Sequence, residues 1–266
     1  MDLSIIIVNY KNKKKLESCL TSIFKADNQD LNYEIILVEN NSGDDLYELV
    51  KLDSRLRLFN LPKNLGMGGG NNYGIEKARG EYIFVLNPDT IIKGDAIVTL
   101  LNYLKANPGV GIVGPKLLNS DNSLQYSCFR FPKWYTPILR RTFLGKYFPG
   151  HINNFQMVAD NHDLIKEVDW MLGSSLMFKK EIVLPNGQVW SPRFDERYFM
   201  YFEDTDICRT CQAKGLKVVY NPEAILIHDH LRQSARHPWY AALFIDSLAR
   251  NHIGSGLKYF CKWGLK

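Results

Sequence analysis

Hydrophobic residues fall in short, nearly unbroken runs separated by stretches of helical periodicity. Leu3 to Val8 is rich in β-branched residues and predicts a strand buried on both faces, the start of a parallel sheet. From Lys13 to Phe24 the apolar positions Leu16, Leu20, Ile23 and Phe24 recur at helical spacing, which predicts a crossover helix. Strands are expected at Glu34 to Val38, Leu56 to Leu61 and Tyr82 to Leu86, with helices near Asp44 to Leu52 and Asn71 to Ala78 between them. A helix from about Asp95 to Leu104 ends before Pro108, and Val110 to Val113 reads as another strand. Periodicity fades between Pro115 and Lys166 among prolines, glycines and aromatics, which predicts long loops over the sheet edge. It returns with strands near Ser174 to Phe178, Val218 to Tyr220 and Ala224 to Ile227, and a helix near Asp204 to Ala213. The alternation describes an α/β chain with an open, mostly parallel central sheet flanked by helices.

A length of 266 residues suits a single domain with a sizeable core, and no low-complexity tract or block of like charge argues for disorder. The net charge of +5 gives no case for a nucleic-acid partner. Five cysteines at irregular spacings, without an export signal, point to the reducing cytoplasm. Cys208 and Cys211 form a CxxC, but no second pair follows at zinc-ribbon spacing, so packing is expected. No apolar run approaches the ~20 residues of a membrane span. In the tail from Arg232 to Lys266, Arg236, Arg250, Lys258 and Lys262 accompany Trp239, Tyr240, Phe244, Tyr259, Phe260 and Trp263. That mixture suits a lipid headgroup interface, and equally a C-terminal helix packed on the domain.

Ligands of open α/β sheets collect at the carboxyl ends of the strands. Here those ends are Asn9-Tyr10, Glu39-Asn40-Asn41-Ser42 and Asn87-Pro88-Asp89-Thr90. Asn40 and Ser42 also suit a turn, and Asp89 a helix cap. The stretch from Asn64 to Asn72 contains Gly66, Gly68, Gly69 and Gly70, as a phosphate-cradling loop before a helix would, although it matches neither a dinucleotide fingerprint nor a P-loop. Glu203, Asp204 and Asp206 place three carboxylates in one turn at a helix start, more than a cap needs. Crowded acids raise one another's pKa, which suits a proton acceptor.

The order and spacing of several segments resemble glycosyltransferase family 2. They are Ile7-Val8-Asn9-Tyr10, Val38-Glu39-Asn40-Asn41-Ser42, Asn64-Leu65-Gly66, Gly70-Asn71-Asn72-Tyr73-Gly74-Ile75, Ala78-Arg79-Gly80-Glu81-Tyr82 and Leu86-Asn87-Pro88-Asp89-Thr90. In the second half Asp169-Trp170 with Gly173, Phe194-Asp195-Glu196, Phe199 to Asp206 and His228 continue the likeness. Asn87-Pro88-Asp89, Leu124-Gln125-Tyr126-Ser127 and Arg130-Phe131-Pro132 are most similar to bacterial rhamnosyltransferase-like members.

The resemblance implies a GT-A fold, an inverting mechanism and a dTDP- or UDP-sugar donor. Its acceptor would be a saccharide or lipid-linked saccharide of bacterial surface polysaccharide synthesis. Residues 1–113 would form the nucleotide-sugar half, 114–231 the acceptor and catalytic half, and 232–266 a basic and aromatic tail touching the inner face of the membrane. It also implies that Asn9, Tyr10 and Glu39 line the base and ribose, that Asn64, Gly70 and Asn71 border the diphosphate, and that Asn87 and Asp89 stand at the family's DxD motif. The chain departs from the pattern at Glu39, where the family has Asp, and at Asn87, which replaces the first carboxylate. Asp89 and His228 would then hold Mn2+ or Mg2+, with His230 and Arg232 as nearby alternatives. Asp204 would be the general base, Glu203 would position the acceptor, and Trp170 would border a sugar or else sit in the core. An inactive nucleotide-sugar-binding regulator and a nucleotidyltransferase are the competing functions.

Overall fold

A computed structural model describes residues 1–28, 31–229 and 247–265. The first half contains β1 (Leu3–Asn9), α1 (Lys13–Lys25), β2 (Tyr33–Glu39), α2 (Tyr47–Val50), β3 (Leu56–Asn60), α3 (Gly66–Lys77), β4 (Tyr82–Leu86), β5 (Thr90–Ile92) and α4 (Ala96–Ala106). Then come β6 (Val110–Leu118), β7 (Leu124–Gln125), β8 (Cys128–Phe129), α5 (Thr136–Arg141), a 3-10 turn (Phe143–Tyr147), α6 (Pro149–Phe155), β9 (Lys166–Glu167) and β10 (Trp170–Met171). The chain continues through β11 (Ser175–Lys179), β12 (Ile182–Val183), β13 (Val189–Trp190), α7 (Glu203–Ala213) and β14 (Lys217–His228), and α8 (Ser247–Trp263) follows.

The main sheet runs β3-β2-β1-β4-β11-β6-β14-β5, with β7 and β9 attached to β6 and β14. The strands from β3 to β4 are parallel, whereas β11 lies antiparallel between β4 and β6. Alternation along β1 supplies both layers. Ile5 and Ile7 pack with Leu16, Leu20 and Ile23 of α1 and with Leu100 and Leu104 of α4. Ile6 and Val8 join Ile75 of α3 and Ile207 of α7 on the other face. β1 sits between β2 and β4, so successive strands leave it in opposite directions and their carboxyl ends open a crevice there.

Several expectations need correction. The glycine run is not a loop but the opening of α3, because Gly70 and Gly74 let that helix lie directly on β1. A Cβ at Gly70 would come within 2.9 Å of Val8, and one at Gly74 would overlap Ile6. The helix expected from Asp44 shrinks to Tyr47–Val50, since the Asp44 carboxylate is held by Asn9 and by the Asn12 N–H. The two late strands merge into β14, which shifts register between Asn221 and Ile225 where Pro115 faces Asn221. That irregularity carries β6 past a proline lacking an N–H, so β6 continues to Leu118. The irregular region holds the rest of β6 and the short elements from β7 to α6, too brief for periodicity to register.

α8 is packed on the domain. Tyr259 is fully buried with Tyr198 and Phe202, while Lys262 Nζ and Trp263 Nε1 donate to Asp206 at 2.7 and 2.6 Å. The tail residues Arg232, Arg236, Trp239, Tyr240 and Phe244 lie outside the described residues. No helix among the described residues is long and apolar enough to cross a membrane.

Candidate active site

At the crevice Asn9 and Glu39 are direct partners in the β1–β2 register. Asn9 Nδ2 donates to Asp44 Oδ2 at 2.8 Å, which with the Asn12 N–H holds the Asp44 carboxyl below its ordinary pKa. That amide's Oδ1 is buried without a hydrogen bond. Glu39 Oε1 accepts the Ser42 N–H at 2.7 Å and the Ser42 hydroxyl, closing a turn in which Asn41 and Gly43 have positive φ. Glu39 is therefore engaged in its own loop, while Tyr10 beside it is 44% exposed.

Asn64 and Asn40 shape the entry to α3. Asn64 Oδ1 accepts the Gly66 N–H, and Asn40 binds both the Leu65 N–H and the Gly66 carbonyl. At Gly66, with φ +74°, a Cβ would overlap the Phe199 carbonyl. Asn71 donates to Met67 O within the helix, and Asn72 clasps the backbone of Phe194 through both ends of its amide. Gly70 and Asn71, expected to border a diphosphate, lie in α3, the first pressed against Val8 of β1 and the second buried.

β4 runs into Asn87, whose N–H donates to Ser174 O and whose carbonyl accepts from Thr90. The turn aims Asp89 at the end of β14, where His228 pairs with Thr90. Asp89 Oδ1 and His228 Nε2 face one another at 3.4 Å, with side chains 16% and 4% exposed. Gln125 Nε2 donates to Asn119 Oδ1 and to the His228 carbonyl, so its Oε1 is the atom facing His228 Nδ1 at 2.7 Å. Nδ1 must therefore carry the proton, and in the neutral ring Nε2 turns its lone pair toward the carboxylate. Two donor atoms converging in this way fit a divalent cation, and the Gln125 bond would be the outer contact orienting the imidazole toward it. Among the described residues no group of three or more His, Cys, Asp and Glu forms a complete cage, so phosphate and water oxygens would fill the remaining positions. A cleft lined by Asn119, Ser120, Asp121, His228 and Asp229 opens alongside. Its acidic wall would repel a bare diphosphate, and Lys15, 3.0 Å from Asp229, offsets only part of that charge. His230 and Arg232 lie outside the described residues.

α7 brings the other carboxylates. Tyr201 and Phe202 both adopt left-handed backbone before Glu203. Asp204 Oδ2 accepts the Gly173 N–H at 3.0 Å, and Oδ1 accepts the Thr205 N–H at 2.7 Å. Burial drives its pKa up and these hydrogen bonds oppose the rise. Glu203 is also raised, first by burial and then by the Asp204 charge, and its Oε2 is buried without a hydrogen bond. Asp206 is consumed by α8. Gly173 and Ser174 join the two centres, one reaching Asp204 and the other Asn87.

Trp170, expected to border a sugar or else to sit in the core, stacks on Phe129 at 4.5 Å within the core, and its Nε1 donates to the Arg130 carbonyl. Cys208 and Cys211 are buried thiols with raised pKa, as packing predicts. Sequence reasoning missed Asp44 and the Gly173–Ser174 bridge, which no spacing marks. It noticed Gln125 only as part of a motif.

The Glycosyl transferase family 2 model matches residues 4–165, more than half of the chain. N-acetylglucosaminyl-diphospho-decaprenol L-rhamnosyltransferase of Mycobacterium tuberculosis is 27% identical over 252 residues, covering 89% of this chain and 78% of that protein. Rhamnosyltransferase WbbL of Escherichia coli K12 is 28% identical over 97% of this chain and 92% of its own. The crystal structure of GalNAc-T7 with UDP, GalNAc and Mn2+ shares the fold with a TM-score of 0.65 at 14% identity, over 88% of this chain and 44% of the longer one. With its GT-A architecture and the family match over residues 4–165, the chain belongs to glycosyl transferase family 2.

Proposed function

We propose that the protein transfers a sugar, rhamnose by analogy with its relatives, from a nucleoside diphosphate donor to a hydroxyl of a lipid-linked saccharide, with inversion and with help from a divalent cation. The observation that carries this reading is the Gly173–Ser174 bridge, which ties a cation-type Asp89–His228 pair to two carboxylates of raised pKa. A cation held by Asp89 and His228 would neutralise charge on the departing diphosphate.

Asp204, its carboxylate aimed by Gly173 and Thr205, takes the proton of the acceptor hydroxyl as that oxygen attacks the anomeric carbon. Glu203, whose raised pKa favours the protonated form, donates a hydrogen bond that orients the acceptor. The orphan Oε2 of Glu203 supports a second reading, in which Glu203 is the base and Asp204 fixes the loop. Incubation with Mn2+ or Mg2+, a panel of dTDP-, UDP- and GDP-sugars and a lipid-linked acceptor separates the competing functions. Acceptor-dependent release of nucleoside diphosphate with an inverted anomer is expected. Pyrophosphate release would indicate a nucleotidyltransferase, and binding without turnover a regulator.

A further inference from the structure

The segment between Lys133 and Phe148 leaves several large apolar side chains exposed. Trp134, Ile138, Phe143, Leu144, Tyr147 and Phe148 are 50%, 45%, 58%, 38%, 73% and 54% exposed. These six are a third of the eighteen exposed large apolar side chains among the described residues, gathered into one short stretch. Apolar side chains exposed singly need no explanation, whereas a cluster of them marks an interaction surface. The fold holds it rigid from below. Thr136 and Leu139 are buried, Pro137 lies in the first turn of α5, Gly145 packs under the Leu139 carbonyl, and Thr136 Oγ1 meets His151 Nε2 at 2.9 Å. The apolar side chains thus stand outward on a firm base.

Charge decides what the patch fits. No acidic residue occurs between Asp121 and Asp160, while Arg130, Lys133, Arg140, Arg141 and Lys146 all fall in that interval. A protein partner's apolar groove would be indifferent to this bias. An anionic bilayer rewards both features, because aromatic rings settle at headgroup depth and cations gather at the negative surface.

The patch also adjoins the acceptor side of the site. Arg140 and Arg141 lie close enough to His252 to help lower its pKa, and the His252 ring packs on Tyr201 and Phe202, directly before Glu203. A membrane lying against this face would hold a lipid-linked acceptor near the catalytic carboxylates.

We infer that the surface formed by Trp134 to Phe148 docks the protein on an anionic phospholipid bilayer, and that the aromatic residues of α8 do not. The inference rests on the proposed transfer reaction only for the direction in which the acceptor arrives.

The test is flotation of the full chain with vesicles of phosphatidylcholine alone, or containing phosphatidylglycerol, at low and high salt. Two variants accompany it: Trp134→Ser/Phe143→Ser/Tyr147→Ser, and Lys133→Gln/Lys146→Gln. All of these side chains are exposed, so unchanged circular dichroism and melting are expected. The parent should float with anionic vesicles at low salt and dissociate at high salt. Each variant should partition at least tenfold more weakly, and nucleoside diphosphate release with a water-soluble acceptor should be unaltered. A parent that stays unbound at low salt overturns the proposal. So does an aromatic variant that floats like the parent. Concentration-dependent self-association of the parent, abolished by Trp134→Ser and unaccompanied by vesicle binding, would assign the face to a second copy instead. Loss of donor turnover by every form would refute the transfer reading and leave the flotation result standing.

Discussion

A Cβ placed on Gly173 would stand 3.0 Å from the Cβ of Asp204, and the Gly173 N–H donates to that residue's Oδ2. The chain brings its backbone close against Asp204 here, so that an added methyl would require that side chain to shift by a few tenths of an ångström. Gly173→Ala should push Asp204 off line, lowering kcat by about 10- to 100-fold while leaving donor affinity near that of the parent. Steady-state kinetics with separate donor titration checks this, and an unchanged kcat would remove the Gly173 contact from the mechanism.

Glu203 and Asp204 predict opposite consequences for amide replacement. Asp204→Asn should abolish transfer with donor binding retained. Glu203→Gln should keep part of the turnover, because a neutral amide can still donate to the acceptor; the reverse pattern would make Glu203 the base. The raised pKa of Glu203 also has a stability signature. The folded state holds the proton more tightly than the unfolded chain, so this contribution is full below the ordinary carboxylate pKa. It disappears as pH rises through the elevated folded value. Melting curves should therefore show Glu203→Gln gaining on the parent above neutrality and not at pH 4.

Removing the Asp89 carboxylate or the His228 imidazole should weaken Mn2+-dependent donor binding and transfer together. The more discriminating variant is Gln125→Leu, which leaves both expected ligands in place but removes the hydrogen bond to the His228 ring. Metal affinity should fall by about 10- to 100-fold, measured by titration without acceptor. An affinity equal to the parent's would show that the Gln125 bond does not orient a ligand.

Asp206 is a structural carboxylate although it belongs to the same acidic turn. Lys262→Met leaves it facing only Trp263 and Tyr198 in a buried setting. The cost should be about 2 kcal/mol, below the usual range for a stranded buried charge because the ammonium is 25% exposed. For a chain of this size that lowers Tm by roughly 4–8 °C. Replacing Asp206 as well, as Asp206→Leu/Lys262→Met, should recover much of the loss in thermal melts.

His252 adds an acid-labile element on the same helix. Burial, aided by Arg141 and Arg140, lowers its pKa to about 3, so the folded state excludes a proton that the unfolded chain accepts near 6.5. Its contribution is full above pH 6.5 and is lost as pH falls toward 3. His252→Phe should flatten that part of the stability profile in denaturant titrations, relative to the parent.

Sequence alone determined the central strands, because Leu3 to Val8 and Tyr82 to Leu86 announce burial on both faces through local composition. It also marked the polar strand ends and the adjacent Glu203 and Asp204 as candidates for chemistry, because these are neighbours along the chain. Whether a polar group serves a ligand or the protein itself was decided only by packing. Asn71 turned inward to Met67, Trp170 stacked on Phe129, and Asp206 went to Lys262 and Trp263. The encounter of His228 with Asp89 required β14 to pair with β5, and its tautomer required Gln125 from a third strand. Propensity and periodicity report interactions within a few residues, whereas desolvation and hydrogen-bond partnership depend on segments far apart in sequence that meet only when the sheet is assembled.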